Sequence, residues 1–315
     1  MITVAVPAYN GEKYLEDAVS SIISQTVAVD QIFIIDDAST DNTFLIANNL
    51  KQKYDRYTIH YTANKTNVGY QANWNKCFEY CKTPYLVILH QDDQLKEDTL
   101  ESQLNYFKLH PEIAIVGGFE DFVNENGKIF KKKPEDKNTI FQKGQIYEFI
   151  VNHGVYIPCS SVMFHMPKIR NVGYFETDVI ATDEMYWPKV LSRYPIAILG
   201  KSLIYRRAHP DQAEYRDFIK FENQAISIYE KFKKIAEYEE RIAYRGEILK
   251  QLKFKFSRSW IMIASSTAKR GARKISLKYI GKAIRINPLI ILRFPLMWKT
   301  FAKIILFFLG IKKVK

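Results

Sequence analysis

Three acidic clusters stand out in the first two-thirds of the chain: Asp36-Asp37, Asp92-Asp93 and Thr182-Asp183-Glu184. Adjacent carboxylates at the end of a rigid element are costly unless a cation sits between them or water solvates them. A hard divalent ion such as Mg²⁺ or Mn²⁺ takes oxygen ligands, commonly one or two carboxylates completed by substrate phosphates. Asp92-Asp93 suits that task, but Asp92 could equally cap a helix running from Leu95 onward, leaving Asp93 incidental. Asp36-Asp37 has the same two readings, and Ser39 or Asp41 is as well placed to cap or to form an Asx-turn. Asp183 could serve as a general base, which for a hydroxyl must be a carboxylate or a histidine near the reacting centre. A helix N-cap at Thr182 or Asp183, with acids favouring the helix dipole, explains that cluster as well. Further along, Tyr205-Arg206-Arg207-Ala208-His209 supplies two guanidinium groups that could neutralise phosphate, and an imidazole.

The elements that must hold these groups alternate. Ile2–Val6 reads as a buried strand, and Glu12–Gln25 as an amphipathic helix with Val19, Ile22 and Ile23 on its apolar face. Gln31–Ile35 predicts a second strand, Thr43–Tyr54 a helix, Tyr57–Tyr61 a third strand, and a further helix starts near Tyr70 before the apolar strand Tyr85–Leu89. Strands alternating with helices imply a mostly parallel sheet covered on both faces, with ligands beyond the carboxyl ends of its strands. The polar clusters fall there: Ala8-Tyr9-Asn10, Asp36-Asp37 and Gln91-Asp92-Asp93. From about Gln212 the pattern becomes long helices rich in Lys, Glu and aromatics over Phe218–Ser266. It then becomes a basic stretch whose apolar tail is broken by proline. Lys131-Lys132-Lys133-Pro134 reads as a solvated loop.

Composition narrows the classes. A hydrophobic share of 47% supports a full-sized core and excludes global disorder, and a net charge of +12 favours an anionic partner. The three cysteines, Cys77, Cys81 and Cys159, are an odd number without a matching Cys or His pair. They read as free thiols, so neither a disulfide framework nor a zinc site is expected. The opening strand is too short and lacks the basic lead of a signal peptide, and no apolar run of about 18 residues predicts a membrane-spanning helix. The Gly-x-Gly-x-x-Gly turn of dinucleotide oxidoreductases and the Walker phosphate loop are absent, as is the Gly-rich basic loop expected of a nucleotidylyltransferase. No nucleic-acid motif accompanies the positive charge, which concentrates beside apolar residues at the C-terminus.

Taken in order, the polar motifs resemble family 2 glycosyltransferases, the large inverting group with the GT-A fold. Val4-Ala-Val-Pro-Ala-Tyr-Asn-Gly11 is similar to the family's opening strand and nucleotide loop. Tyr14-Leu15 and Ser20–Thr26 are similar to its first helix, and Ile34–Thr43 to its second signature. Asn67-Val68-Gly69 followed by Asn75 resembles the third motif, and Leu89-His90-Gln91-Asp92-Asp93 the metal motif. Val172–Glu176 and Ala181–Trp187 resemble the acceptor side. The likeness covers about residues 1–210 and implies a Rossmann-like α/β architecture, a mostly parallel central sheet flanked by helices, with a helical C-terminal extension. It implies a catalytic domain over 1–210, its nucleotide-sugar half about 1–95 and its acceptor half about 96–210, followed by a helical region over 211–315.

The resemblance also implies roles. Asp37 would accept a hydrogen bond from the nucleobase, with Pro7 and Tyr9 walling the pocket and Asn67 and Gly69 lining it; Asp92 would contact the ribose or sugar. Asp93 would hold Mg²⁺ or Mn²⁺ on the diphosphate, His209 would stand near it, and Asp183 would be the catalytic base. The implied partners are a nucleotide-diphosphate sugar, with a UDP-sugar as first choice, and a glycan or lipid-linked acceptor, with no nucleic acid. The implied setting is the cytoplasmic side of the plasma membrane, in surface polysaccharide or lipopolysaccharide assembly. A scaffold relative without catalysis is the other reading. Three residues depart from the pattern: His90 where an acid is common, Trp74 where an Arg often precedes Asn75, and Thr182 in place of a Glu. Pro288–Ile311 combines aromatic and aliphatic residues with Lys299 and Lys303 on one helical face. That composition suits a helix lying in a membrane surface or one packed on the domain, and the basic Lys269–Arg285 stretch before it would be drawn to anionic lipid.

Overall fold

Short apolar runs rich in β-branched residues build the centre of the protein. The computed structural model describes residues 1–146, 148–149, 156–178, 182–209, 253–254, 257, 261, 264 and 273–289. In chain order the elements are β1 (Ile2–Ala8), α1 (Leu15–Ile23), β2 (Gln31–Asp36), α2 (Thr43–Lys53), β3 (Ile59–Ala63), α3 (Tyr70–Tyr80) and β4 (Tyr85–Ile88). Then follow β5 (Gln94–Leu95), α4 (Thr99–Leu109), β6 (Ile115–Val123), β7 (Ile129–Lys131), β8 (Thr139–Phe141), β9 (Met163–His165), α5 (Met166–Val172), α6 (Thr182–Leu191), β10 (Ile196–Arg207) and α7 (Arg273–Ile286).

The main path of the sheet runs β3-β2-β1-β4-β9-β6-β10-β5, with β7 on β6 and β8 on β10. Strands β1 to β4 pair only in parallel among themselves, as the alternation of strand and helix requires. Right-handed crossovers put α1 and α2 on one face and α3 on the other, since the path moves outward from β1 to β3 and then returns to β4. The second half is mixed: β9 is antiparallel to both β4 and β6, whereas β6 and β10 are parallel. β1 and β4 are buried on both faces and carry near-continuous Val, Ile, Ala and Leu, the pattern of a strand covered by helices on two sides.

The expected boundaries hold to within a residue or two for β1, α2 and β4; α1 is shorter than its amphipathic stretch, and β3 begins two residues later than read. One expectation fails. No helix starts at Leu95; Gln94 and Leu95 pair antiparallel with Tyr205 and Ile204 of β10, and the helix begins at Thr99. Asp92 is therefore not a helix cap. Lys131 closes β7 and its ammonium stands over the Phe122 ring, while Lys132 and Pro134 are exposed as expected. The cysteines are free and buried.

The chain divides into two compact units: Met1–Phe149 with Val155–Gln224, and Ile150–Gly154 with Ala225–Lys315. The first contains the sheet and every acidic cluster named above. In the second, α7 buries Ser276, Tyr279, Ile280 and Ala283 and exposes Lys278 and Arg285. The expected helices over Phe218–Ser266 fall almost entirely outside the described residues, and the apolar tail Pro288–Ile311 does so beyond Leu289. Among the described residues, no helix is long and apolar enough to cross a membrane.

Candidate active site

The loops after β1 and β2 lock onto each other. Gln91 clasps the Tyr9 peptide from both sides: the Tyr9 N–H donates to Gln91 Oε1 at 2.8 Å, and Gln91 Nε2 donates to the Tyr9 carbonyl at 2.9 Å. Asn10, at a positive φ of 49°, accepts the Thr40 N–H on its side chain, and the Gly11 N–H donates to Thr43 Oγ1. Asp41 accepts from the Thr43 N–H and hydroxyl at the start of α2, the turn role its position suggested. Pro7 lies buried in β1 beside Ile35 and Tyr9 is exposed at the strand's end, so both border this loop.

Asp36 and Asp37 are each 2% exposed, and their carboxylates are taken up by the chain. Asp36 receives the Ser39 N–H and hydroxyl on one oxygen and the Tyr61 hydroxyl, at 2.6 Å, on the other. Burial, then that contact with Asp36, pushes the Tyr61 phenol up. Asp37 Oδ1 accepts from Asn64 Nδ2 at 2.7 Å and the Val68 N–H at 2.8 Å, while Oδ2 accepts the Gly69 N–H at 2.9 Å. Gly69 sits at φ +86°, a conformation side chains resist, so the loop that starts α3 is built to offer its amides to Asp37. Asn67 is exposed and also accepts the Gly69 N–H. A carboxylate has about four acceptor positions; three internal bonds leave Asp37 Oδ2 capacity for one more donor.

Asp92 and Asp93 are held differently. Asp93, 4% exposed, accepts from Ser160 Oγ at 2.7 Å and from the Arg207 N–H at 3.3 Å. Burial, then the adjacent charge of Asp92, pushes its carboxyl up to about 7, against a weaker downward pull from Arg206. Asp92 Oδ2 lies 3.1 Å from His209 Nε2; an ionised carboxylate only accepts, so Nε2 carries the proton. Burial works to raise Asp92, but the His209 hydrogen bond and the charges of His90 and His209 outweigh it and hold the carboxyl low. His209 Nδ1 is buried with no hydrogen-bond partner among the described residues. The Tyr14 ring lies 4.9 Å from its imidazole.

Ligating atoms of His90, Asp92 and Asp93 lie within 4.8 Å of one another. Among the described residues that trio is the one such cluster, and His209 stands one contact outside it, through Asp92. The donor set fits a divalent cation: a buried carboxylate on Asp93, raised by burial and by its neighbour's charge, and a half-buried one on Asp92, beside an imidazole.

Asp183 lies half-buried in the first turn of α6, where Thr182 Oγ1 donates to the Glu176 carbonyl at 2.6 Å. Burial, then the charges of Asp183, Cys77 and Asp93, pushes the Cys159 thiol well up. Asn75 ties α3 to the segment that follows α5: its Nδ2 donates to the Phe175 carbonyl at 2.9 Å, and the Phe175 N–H donates to its Oδ1 at 3.0 Å.

The two arginines separate. Arg207, 2% exposed, spends its guanidinium on the chain: Asp17 Oδ2 at 2.7 Å, the Glu125 carbonyl at 2.7 Å, the Asp92 carbonyl at 3.3 Å and the Tyr14 ring. It clips β10 to α1 instead of facing a phosphate. Arg206 NH1 donates to the Tyr156 hydroxyl at 2.5 Å, and that hydroxyl donates to buried Glu120 at 2.8 Å. Sequence reading did not single out Ser160 or Glu120, and it named Gln91 only as part of the acidic motif, not as the clasp on Tyr9. Their partners are 67, 36 and 82 positions away, and no local pattern announces such contacts.

Residues 3–167 match the family described as Glycosyl transferase family 2. The chain belongs to glycosyltransferase family 2. It is 27% identical over 184 residues to the minor teichoic acid biosynthesis protein GgaB of Bacillus subtilis; this covers 58% of the chain but only 20% of GgaB. Among solved structures, S. aureus TarS 1–349 in complex with UDP-GlcNAc superposes with a TM-score of 0.65 at 20% identity, covering 96% of this chain and 88% of that one. The mannosyltransferase PcManGT of Pyrobaculum calidifontis, in complex with GDP-Man and Mn²⁺, gives 0.61 at 15% identity over 97% and 86%. At such identities the likeness is one of fold, and that fold is the GT-A architecture. The family 2 resemblance is thereby borne out over residues 3–167, and the expected GT-A fold by the structural likeness.

Proposed function

We propose that this family 2 protein transfers a sugar, with inversion, from a nucleotide-diphosphate donor to a hydroxyl of a glycan or lipid-linked acceptor. The observation that carries the reading is the His90–Asp92–Asp93 cluster, whose ligating atoms lie within 4.8 Å of one another, with Asp183 in the first turn of α6 as the assigned base. The loop held by Asp37 supports nucleotide binding, with Pro7, Tyr9, Asn67 and Gly69 around it, and Asp92 is assigned to the ribose or sugar. Asp183 takes the proton of the acceptor hydroxyl; the oxygen attacks the anomeric carbon as its bond to the diphosphate breaks, and the nucleoside diphosphate leaves with that electron pair. Asp93, with His209 beside it, would hold Mg²⁺ or Mn²⁺, which when bound neutralises charge developing on the diphosphate. The Asp37 loop and the Asn75–Phe175 pair fix donor and acceptor sides relative to one another.

A UDP-sugar is the first donor to try, because TarS is complexed with UDP-GlcNAc; GDP-Man on PcManGT makes a GDP-sugar the second. The name of GgaB supports a role in surface polysaccharide assembly. The basic, apolar residues 288–311 support docking at the inner membrane face, which flotation of the full-length protein with anionic vesicles checks. The main test is a thermal-shift panel of nucleotides and nucleotide sugars with and without Mn²⁺. A metal-dependent rise for one donor is expected; no shift with any of them would refute the donor assignment.

A further inference from the structure

His90 and Trp74 both depart from the family pattern, and the fold puts them against each other. The two rings stack at 4.4 Å with 21° between their planes, a close offset arrangement of aromatic faces. Trp74 is itself wedged: Tyr70, one turn earlier on α3, lies 5.2 Å from it and Phe175 meets it edge-on at 5.8 Å. The next residue, Asn75, pins α3 to the Phe175 peptide. On its backbone side the His90 N–H donates to Ser160 Oγ, the same hydroxyl that donates to Asp93 Oδ2. His90 is thus held by a ring stacked on its imidazole and, at its backbone N–H, by a hydroxyl shared with Asp93. Its Nδ1 faces Asp93 Oδ2 at 3.9 Å. Ligand atoms about 2.1 Å from one ion can stand up to about 4.2 Å apart, so both can bind a single cation.

We propose that His90 gives a nitrogen ligand to the divalent cation, with Trp74 as the positioning residue that holds its ring, making this a mixed nitrogen–oxygen centre selective for Mn²⁺ over Mg²⁺. The inference rests on the metal-assisted reading above and refines it. Imidazole nitrogen binds transition-metal ions better than Mg²⁺, which prefers oxygen and keeps its waters. An acid at position 90 would give an all-oxygen set open to either ion.

The test is pulsed electron–nuclear double resonance on Mn²⁺ bound to the full-length protein, alone and with UDP. Wild type, wild type labelled with ¹⁵N-histidine, His90→Asp and His209→Gln are compared. The expected result is a ¹⁴N coupling in wild type that becomes ¹⁵N on labelling, persists in His209→Gln and disappears in His90→Asp. Calorimetry should show the Mn²⁺-to-Mg²⁺ affinity ratio falling at least about tenfold in His90→Asp. Trp74→Phe should keep Mn²⁺ affinity and Trp74→Ala weaken it. Bound Mn²⁺ without nitrogen coupling overturns the inference alone, as does coupling lost in His209→Gln and kept in His90→Asp. Absence of Mn²⁺ binding even with UDP overturns this inference and the metal-assisted reading together. If His90→Asp does not fold, labelled wild type and His209→Gln still decide.

Discussion

The acids after β2 and the acids after β4 are the same residue types at equivalent ends of parallel strands, yet the chain treats them oppositely. Asp36 and Asp37 each take three donors from within: hydroxyls, amides and Asn64 converge on them, and they tie down the loops that start α2 and α3. Asp92 and Asp93 receive less than they need, and Asp93 is raised to about 7 beside its neighbour. Satisfied carboxylates organise backbone; under-compensated ones are left for a charge that arrives from outside. Sequence alone treated both pairs as alternatives between capping and binding, and only the count of partners separates them.

The contrast can be broken most decisively at Asp183. Asp183→Asn, an isosteric change at the base proposed above, should cut sugar transfer by about 10²–10⁴ and move the melting temperature far less; rates with the donor found by thermal shift check it. Asp37→Ala should do the reverse. It strands the Val68 amide and removes the bonds to Gly69 and Asn64, so stability should fall by about 2–4 kcal/mol and nucleotide affinity with it, read from urea unfolding. Asp121 sharpens the comparison on the acceptor half. Burial opposes its ionisation, but Lys96 at 2.7 Å and the Lys133 N–H hold its carboxyl below the usual range. A depressed carboxyl stabilises the fold above its unfolded value of about 3.9, and that stability drains as pH falls through the folded value. Asp121→Asn should therefore cost about 1.5–3 kcal/mol at neutral pH, with wild-type and variant unfolding midpoints converging below about pH 4. The smallest effect belongs to Gly11→Ala. A Cβ there would stand 2.4 Å from Gln91 Oε1, a movable atom that nonetheless receives the Tyr9 N–H. A loss of about 1 kcal/mol and slightly weaker nucleotide binding are expected, measurable by calorimetry.

Much of the first half was legible in sequence because each strand is a short apolar run and each helix carries its stripe, so period alone finds them. Gln94-Leu95 was misread as a helix start because a two-residue strand has no period; its identity comes from β10, more than a hundred positions away. The mixed pairing of β9 and β10 was hidden for the same reason. In the site, residue types pointed to the acids, while the division of Arg206 from Arg207 and the place of Ser160 depended on contacts between distant segments. His90 and Trp74 were visible as departures, but not as partners.

The Asn75 bridge has a consequence for variation. Its amide reads the N–H and carbonyl of position 175, groups that nineteen of the twenty amino acids present alike, proline lacking the N–H. The side chain at 175 is therefore free, as far as this bridge is concerned, to differ while its backbone stays tied to α3. Chimeras that exchange the segment around position 175 should keep its attachment to α3 so long as Asn75 is retained.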